Sequence, residues 1–173
     1  MFRTALTATA LMALTASAAV AEAHAMDPLA TASIAGVDGT DHGSVTLTPT
    51  ASGTMIVRLE LTGVPAGVHG VHIHETGDCS AADFTSAGGH LAGDRAHGPM
   101  DAGGPHPGDL PNITVGEDGT WTGEVFNDHL TEALLADADG AAFIIHAGAD
   151  DYTSQPAGDA GDRIACGVFE MAM

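Results

Sequence analysis

Basic residues are almost missing from this chain of 173 residues: there is no lysine, and four arginines (Arg3, Arg58, Arg95, Arg163) stand against 23 acids. The net charge of -19 repels phosphate backbones and excludes nucleic acid as a partner. Aromatics are scarce at 4%, so a core has to be assembled from Val, Ile, Leu, Ala and Met. No long helical period occurs, and past residue 25 no apolar stretch is long enough to span a bilayer. With 45% hydrophobic residues the chain is still no disordered polymer, and its length fits one domain. What it has in excess is histidine, ten in all.

Residues 1–25 read as an export signal, leaving residues 26–173 as the mature domain. Arg3 supplies the positive end, Ala5 to Ala21 is uncharged, and A-x-A sites follow at Ala21–Ala23 and Ala23–Ala25. The alternative is a membrane anchor, for which the stretch is short and diluted by Thr. Removing it takes away one base and one acid, so the charge stays at -19. The expected location is periplasmic or secreted, with no membrane contact after cleavage. In such an oxidising compartment the two cysteines, Cys79 and Cys166, read as a disulfide; the alternative is two buried free thiols.

From residue 31 onward period-two runs alternate with Gly/Asp/Pro/Asn turns. They predict eight strands: 31–36, 44–47, 55–61, 68–75, 112–115, 120–126, 141–146 and 164–170. Asp118-Gly119 reads as a hairpin turn between the fifth and sixth, and one helical turn fits within 130–136. The fold class is all-β, a sandwich or flattened barrel. Two stretches, 77–110 and 147–163, are long loops, which in a compact domain carry function.

The histidines gather at those loops. His72 and His74 lie on one strand, two residues apart and so on one face, while Val71 and Ile73 turn into the core. Two imidazoles pointing one way suit copper or zinc. An H-x-H pair by itself proves little, but the first long loop adds His90, His97, His106 and Asp109. His106 and Asp109 together mix nitrogen and oxygen donors, a combination zinc accepts. His146 closes the seventh strand at the mouth of the second loop. Of the remaining histidines, His69 is expected to be a hydrogen-bonded structural residue and His42 and His129 to be exposed. His24 could chelate copper if cleavage falls after Ala23.

At five places the sequence resembles the copper/zinc superoxide dismutases. These are Gly70-Val-His72-Ile-His74-Glu-Thr-Gly-Asp78-Cys79, Ser86-Ala-Gly-Gly-His90, Gly108-Asp109-Leu-Pro-Asn112, His146-Ala-Gly-Ala-Asp150-Asp151 and Gly161-Asp-Arg163-Ile-Ala-Cys166-Gly-Val. The resemblance implies an eight-stranded Greek-key sandwich with two long functional loops, and dismutation of superoxide to oxygen and hydrogen peroxide. It implies copper on His72, His74, His90 and His146, and zinc on His90, His97, His106 and Asp109. His90 would bridge the metals, release copper on reduction and carry a proton. Asp150 would accept ring N–H bonds from His72 and His97, and Arg163 would guide the anion. A homodimer is one assembly the resemblance allows. Three features depart from the family: Leu-Ala-Gly-Asp follows His90 where Asn-Pro or Asp-Pro is usual, the His90–His97 interval is short, and residues 147–162 hold no Lys or Arg. The alternative function is an exported copper/zinc buffer or metal-delivery protein without turnover, for which an anion guide at Arg163 would have no use.

Overall fold

The computed structural model describes residues 27–172, so the expected export signal and His24 lie outside the described residues. Strand β1 (Ala30–Gly36) buries Ala30, Ala32, Ile34 and Gly36 and exposes the residues between, a direct outcome of its period-two sequence. β2 (Asp41–Pro49) and β3 (Met55–Leu61) continue an antiparallel meander, and β3 buries Met55, Val57, Leu59 and Leu61. Its Arg58 and Glu60 point outward, where Arg58 meets Glu124 at 2.9 Å. β4 (Gly67–His69), β5 (Val71–His74), β6 (Ile113–Val115), β7 (Trp121–Asn127), β8 (Ala142–His146), β9 (Arg163–Val168) and β10 (Glu170–Met171) complete the strands. A helical turn, α1, spans Glu132–Leu135, inside the expected segment, and a 3-10 turn lies at Thr85–Ala87.

One curled sheet runs β5-β8-β9-β1-β2-β3-β7, with β10 also on β1, and β4 and β6 form a separate pair. Its inner face closes on an aliphatic core that includes Ile34, Leu47, Leu59, Ile73, Phe143 and Ile145. Burying each such side chain stabilises the fold by roughly 1.5–3 kcal/mol. β8 is buried at every position because both of its faces are covered. Phe143 and Ile145 face the core, while Ala142 and Ile144 lie under Phe84, Ala87 and the Cys79–Cys166 disulfide.

The expected all-β architecture is observed, with three differences in detail. The strand expected over 68–75 breaks at Gly70, whose N–H donates to Gly148 O and whose carbonyl accepts from His146 N. His69 before it pairs with β6, and Val71 after it pairs with β8. A side chain at Gly70 would stand 3.0 Å from the Ala160 methyl and 3.2 Å from Asp150 N, tighter than ordinary van der Waals contact, so a larger residue there would push on the second long loop. The last strand likewise divides, at Phe169, whose N–H turns to Ala141 O. Among the described residues ten strands therefore stand where eight were expected. The Asp118-Gly119 turn forms, but its flanking strands do not pair with each other: β6 joins β4 and β7 runs along β3.

Candidate metal centre

β5 lies at the end of the sheet order, and its alternation sends Val71 and Ile73 inward and His72 and His74 to the opposite, covered face. The first long loop straps its free edge: Ile73 N–H donates to Gly108 O at 2.8 Å and Leu91 N–H to Ile73 O at 2.8 Å. Those bonds bring His90 opposite His74 and Asp109 opposite His72. His146, at the end of β8, is anchored by its N–H on Gly70 O.

Two groups result. His72, His74, His90 and His146 are all buried, and their ligand atoms lie within 4.8 Å of one another; His90, His97, His106 and Asp109 meet the same measure. In the first group His72 Nδ1 and the Nε2 atoms of His74, His90 and His146 are buried without any hydrogen-bond partner. Buried polar atoms are ordinarily satisfied, so four orphaned nitrogens aimed at one spot fit a metal cation. Each ring is fixed through its other nitrogen: His72 Nε2 on Asp150 Oδ2 at 2.6 Å, His74 Nδ1 on Gly88 O at 3.0 Å, His90 Nδ1 on Asp109 Oδ1 at 2.9 Å, His146 Nδ1 on Gly161 O at 3.1 Å. Metal-bound imidazoles are oriented in this way.

The second group fits zinc by its donor set. Asp109 Oδ1 has His90 Nδ1 at 2.9 Å, His97 Nδ1 at 3.1 Å and His106 Nδ1 at 3.2 Å. The far nitrogen of His97, Nε2, sits 3.1 Å from Asp150 Oδ1. His97 thus stands between two carboxylates, with Nδ1 toward Asp109 and Nε2 toward Asp150. Three Nδ1 atoms converging on one carboxylate oxygen offer the mixed nitrogen and oxygen donors that zinc accepts.

Electrostatics keep these groups in their ligand forms. Burial, reinforced by neighbouring imidazoles, pushes His72 down to about 4, His74 to about 2 and His146 to about 3. Burial pushes Asp109 up, but bonds from His90 and the N–H groups of Gly98 and His106 outweigh it and hold the carboxyl well below its usual range. Asp150 is likewise pushed up by burial and brought down to about 2 by His72, Tyr152 N–H and His97.

Every histidine singled out on the two loops and β5 lies in one of the groups, and Asp150 reaches both. Arg163 lies half-buried beside the first group, donating from Nη1 to Phe84 O at 2.6 Å and from Nη2 to Gly88 O at 2.7 Å. Gly88 O is also the acceptor for His74, so the guanidinium and that ring share an anchor. The Cys79–Cys166 bridge is present, with Cα atoms 5.9 Å apart, tying the first loop to β9. His69 is buried between the carbonyls of His146 and Pro65, and His129 is exposed. His42 departs from expectation: it is half-buried, bonding Thr62 O at 2.9 Å in the cleft beside Gly36 and Gly63. Asn112 escaped notice as a working residue. Its amide donates to Asp150 O at 2.8 Å and accepts from Asp150 N–H at 2.9 Å, fixing the carboxylate's backbone. Its place in the Gly108–Asn112 motif was the available signal.

The family model of copper/zinc superoxide dismutase (SODC) matches residues 41–169. A Cu-Zn superoxide dismutase of Caulobacter vibrioides is 41% identical over 82% of this chain and 85% of its own. One of Deinococcus radiodurans is 39% identical over 98% of both. Among solved structures, a superoxide dismutase-like protein from Bacillus subtilis superposes with a TM-score of 0.74 at 34% identity, over 80% of this chain and 96% of its own. The Cu/Zn superoxide dismutase of Brucella abortus gives 0.66 at 28% identity, over 81% and 98%.

Proposed function

The chain belongs to the copper/zinc superoxide dismutase family and dismutes superoxide to oxygen and hydrogen peroxide, and from that premise we propose which of its residues do the work. His72, His74, His90 and His146 hold copper; His90, His97, His106 and Asp109 hold zinc. The observation that carries this reading is the convergence of four buried, partnerless imidazole nitrogens.

Copper, when bound, supplies one-electron exchange with two successive superoxide anions. The chain's own residues supply orientation, charge and a proton. His90 is the residue shared by the two groups, with Nε2 aimed at the copper side and Nδ1 at the zinc side. Its Nε2 is the atom that holds a proton and passes it to the departing peroxide. Asp150 holds the rings of His72 and His97 through their far nitrogens. Arg163 offers fixed positive charge beside the copper ligands, where it helps to depress His74 and His146 after burial and the neighbouring rings have acted. In a chain of net charge -19 it is a local attractor for a small anion. A metal store gains nothing from such a guide.

Export by residues 1–25 and a periplasmic or secreted location follow as part of this reading. The disulfide suits an oxidising compartment, and no helix among the described residues is long and apolar enough to cross a membrane. Metal analysis combined with superoxide decay tests the assignment. Asp109→Ala should lose zinc and keep copper, and His146→Ala should keep zinc while losing copper and activity. Copper lost and zinc retained in Asp109→Ala would mean that the two sites are exchanged.

A further inference from the structure

His97 is fully buried in a loop, so its own peptide N–H and C=O need partners that no strand supplies. One side chain meets both. Gln155 Oε1 accepts from His97 N–H at 2.9 Å, and Gln155 Nε2 donates to His97 O at 2.8 Å. The carboxamide thus takes the place of a neighbouring backbone. Gln155 belongs to the second long loop and His97 to the first, 58 residues apart in sequence. Asn112, just past the first loop and before β6, makes the same two-bond contact in the other direction, onto Asp150 in the second. Site geometry in the first loop thus depends on a residue of the second, and that of the second on a residue that follows the first.

We propose that Gln155 is a positioning residue for the zinc-type group: it fixes the backbone of His97, and so makes that ligand's placement conditional on the fold of residues 147–162. The inference rests on the reading of His97 as a zinc ligand. The ring of His97 has to face Asp109 on one side and Asp150 on the other. A rotation of its peptide would spoil both contacts. Beyond Gln155, Gly98 N–H, on the peptide that carries the His97 carbonyl, bonds Asp109 Oδ2 at 2.8 Å, and Arg95 bonds Gly104 O; the His97 N–H and carbonyl oxygen themselves are met by Gln155. Coupling of this kind is reciprocal, so zinc at the first loop must in turn order the turn around Gln155, where Gly158 N–H bonds Ser154 O and Asp151 N–H bonds Gly158 O.

The test is competition of zinc against a chromophoric chelator, on the copper-free, disulfide-intact mature chain. Gln155→Met keeps the length and loses both bonds, and should bind zinc about 10- to 100-fold more weakly, the usual effect of removing a group that orients a ligand. Copper affinity in the same variant should be unchanged. Gln155→Glu retains an acceptor for His97 N–H but sets an oxygen against its carbonyl, and should also bind zinc more weakly than wild type. Hydrogen exchange across 147–162 should slow on adding zinc to wild type and respond less in Gln155→Met. Wild-type zinc affinity in Gln155→Met, or equal loss of both metals, overturns the proposal. Should that variant not fold, Gln155→Glu decides alone: weaker zinc with intact copper supports the proposal, and unchanged zinc overturns it. His97→Ala separates the premise from the inference, because unaltered zinc affinity there removes His97 from the ligand set altogether.

Discussion

Replacing Asp150 with Ala probes the one side chain that reaches both groups. Its carboxylate receives His72 Nε2 at 2.6 Å and His97 Nε2 at 3.1 Å, and both rings are fully buried. Water does not reach these positions easily, so each ring nitrogen loses its acceptor outright. A hydrogen bond to a charged group contributes roughly 1.5–3 kcal/mol, and tenfold in affinity corresponds to about 1.4 kcal/mol. Loss of one such bond per site therefore weakens each metal by roughly 10- to 150-fold, near the 10- to 100-fold typical of ligand-orienting groups. Asp150→Asn should be milder for one site than for the other, since its amide oxygen accepts from one ring while its NH2 opposes the second. Separate chelator competitions for copper and zinc, with metal analysis of the dialysed protein, measure both effects. Wild-type affinity at both sites would refute the orienting role. Loss at one site alone would refute the claim that a single carboxylate serves two metals.

Arg163→Ala should slow superoxide decay about 10- to 100-fold with copper and zinc contents unchanged, since one charge-assisted contact is worth roughly 1.5–3 kcal/mol; unaltered turnover would reduce Arg163 to its bonds with Phe84 and Gly88. Cys79→Ser opens a loop of 87 residues and should lower stability in urea by about 2–5 kcal/mol, whereas reactive thiols at both positions in native protein would show that no bridge forms. In the metal-free chain, burial lowers His72, His74 and His146 in the folded state only, so the unfolded chain binds more protons as pH drops below about 6.5. Their contribution is whole above that pH and is lost progressively as pH falls, down to about 4 for His72, about 3 for His146 and about 2 for His74. Urea unfolding in chelator at several pH values should show this slope, and flat stability would contradict it. Finally, distant acids dominate a charge of -19, and salt screens distant charge over about 8–10 Å more than charge at the site. The bimolecular rate should therefore stay flat or rise up to roughly 0.1 M salt, and a steep fall would show that local positive potential governs encounter.

Much of this molecule is written in short-range pattern. Met55 to Leu61 alternates apolar and charged residues, and β3 occupies those residues with the apolar set inward. His72 and His74 share a face for the same reason, because a strand's side-chain period needs no knowledge of its neighbours. Cysteine number and the export signal read in residues 1–25 led to the expected bridge, and the fold then sets Cys79 and Cys166 with their Cα atoms 5.9 Å apart. What the sequence left open depends on partners far along the chain. The turn at Asp118-Gly119 forms from its own residues, with Asp118 bonding Thr120, yet β7 pairs with β3 because seven residues there find a continuous ladder. The break at Gly70 is set by Gly148, His146 and Ala160, none of which is near in sequence. His42 is half-buried because Gly36 and Gly63 leave a cleft for its ring. The amides of Asn112 and Gln155 read as ordinary loop polarity until tertiary contact sets them against the peptides of Asp150 and His97, 38 and 58 residues away. Ligand types and their faces follow from local chemistry; the backbone hydrogen bonds of a loop have no local solution, so only the folded chain decides which side chain satisfies them.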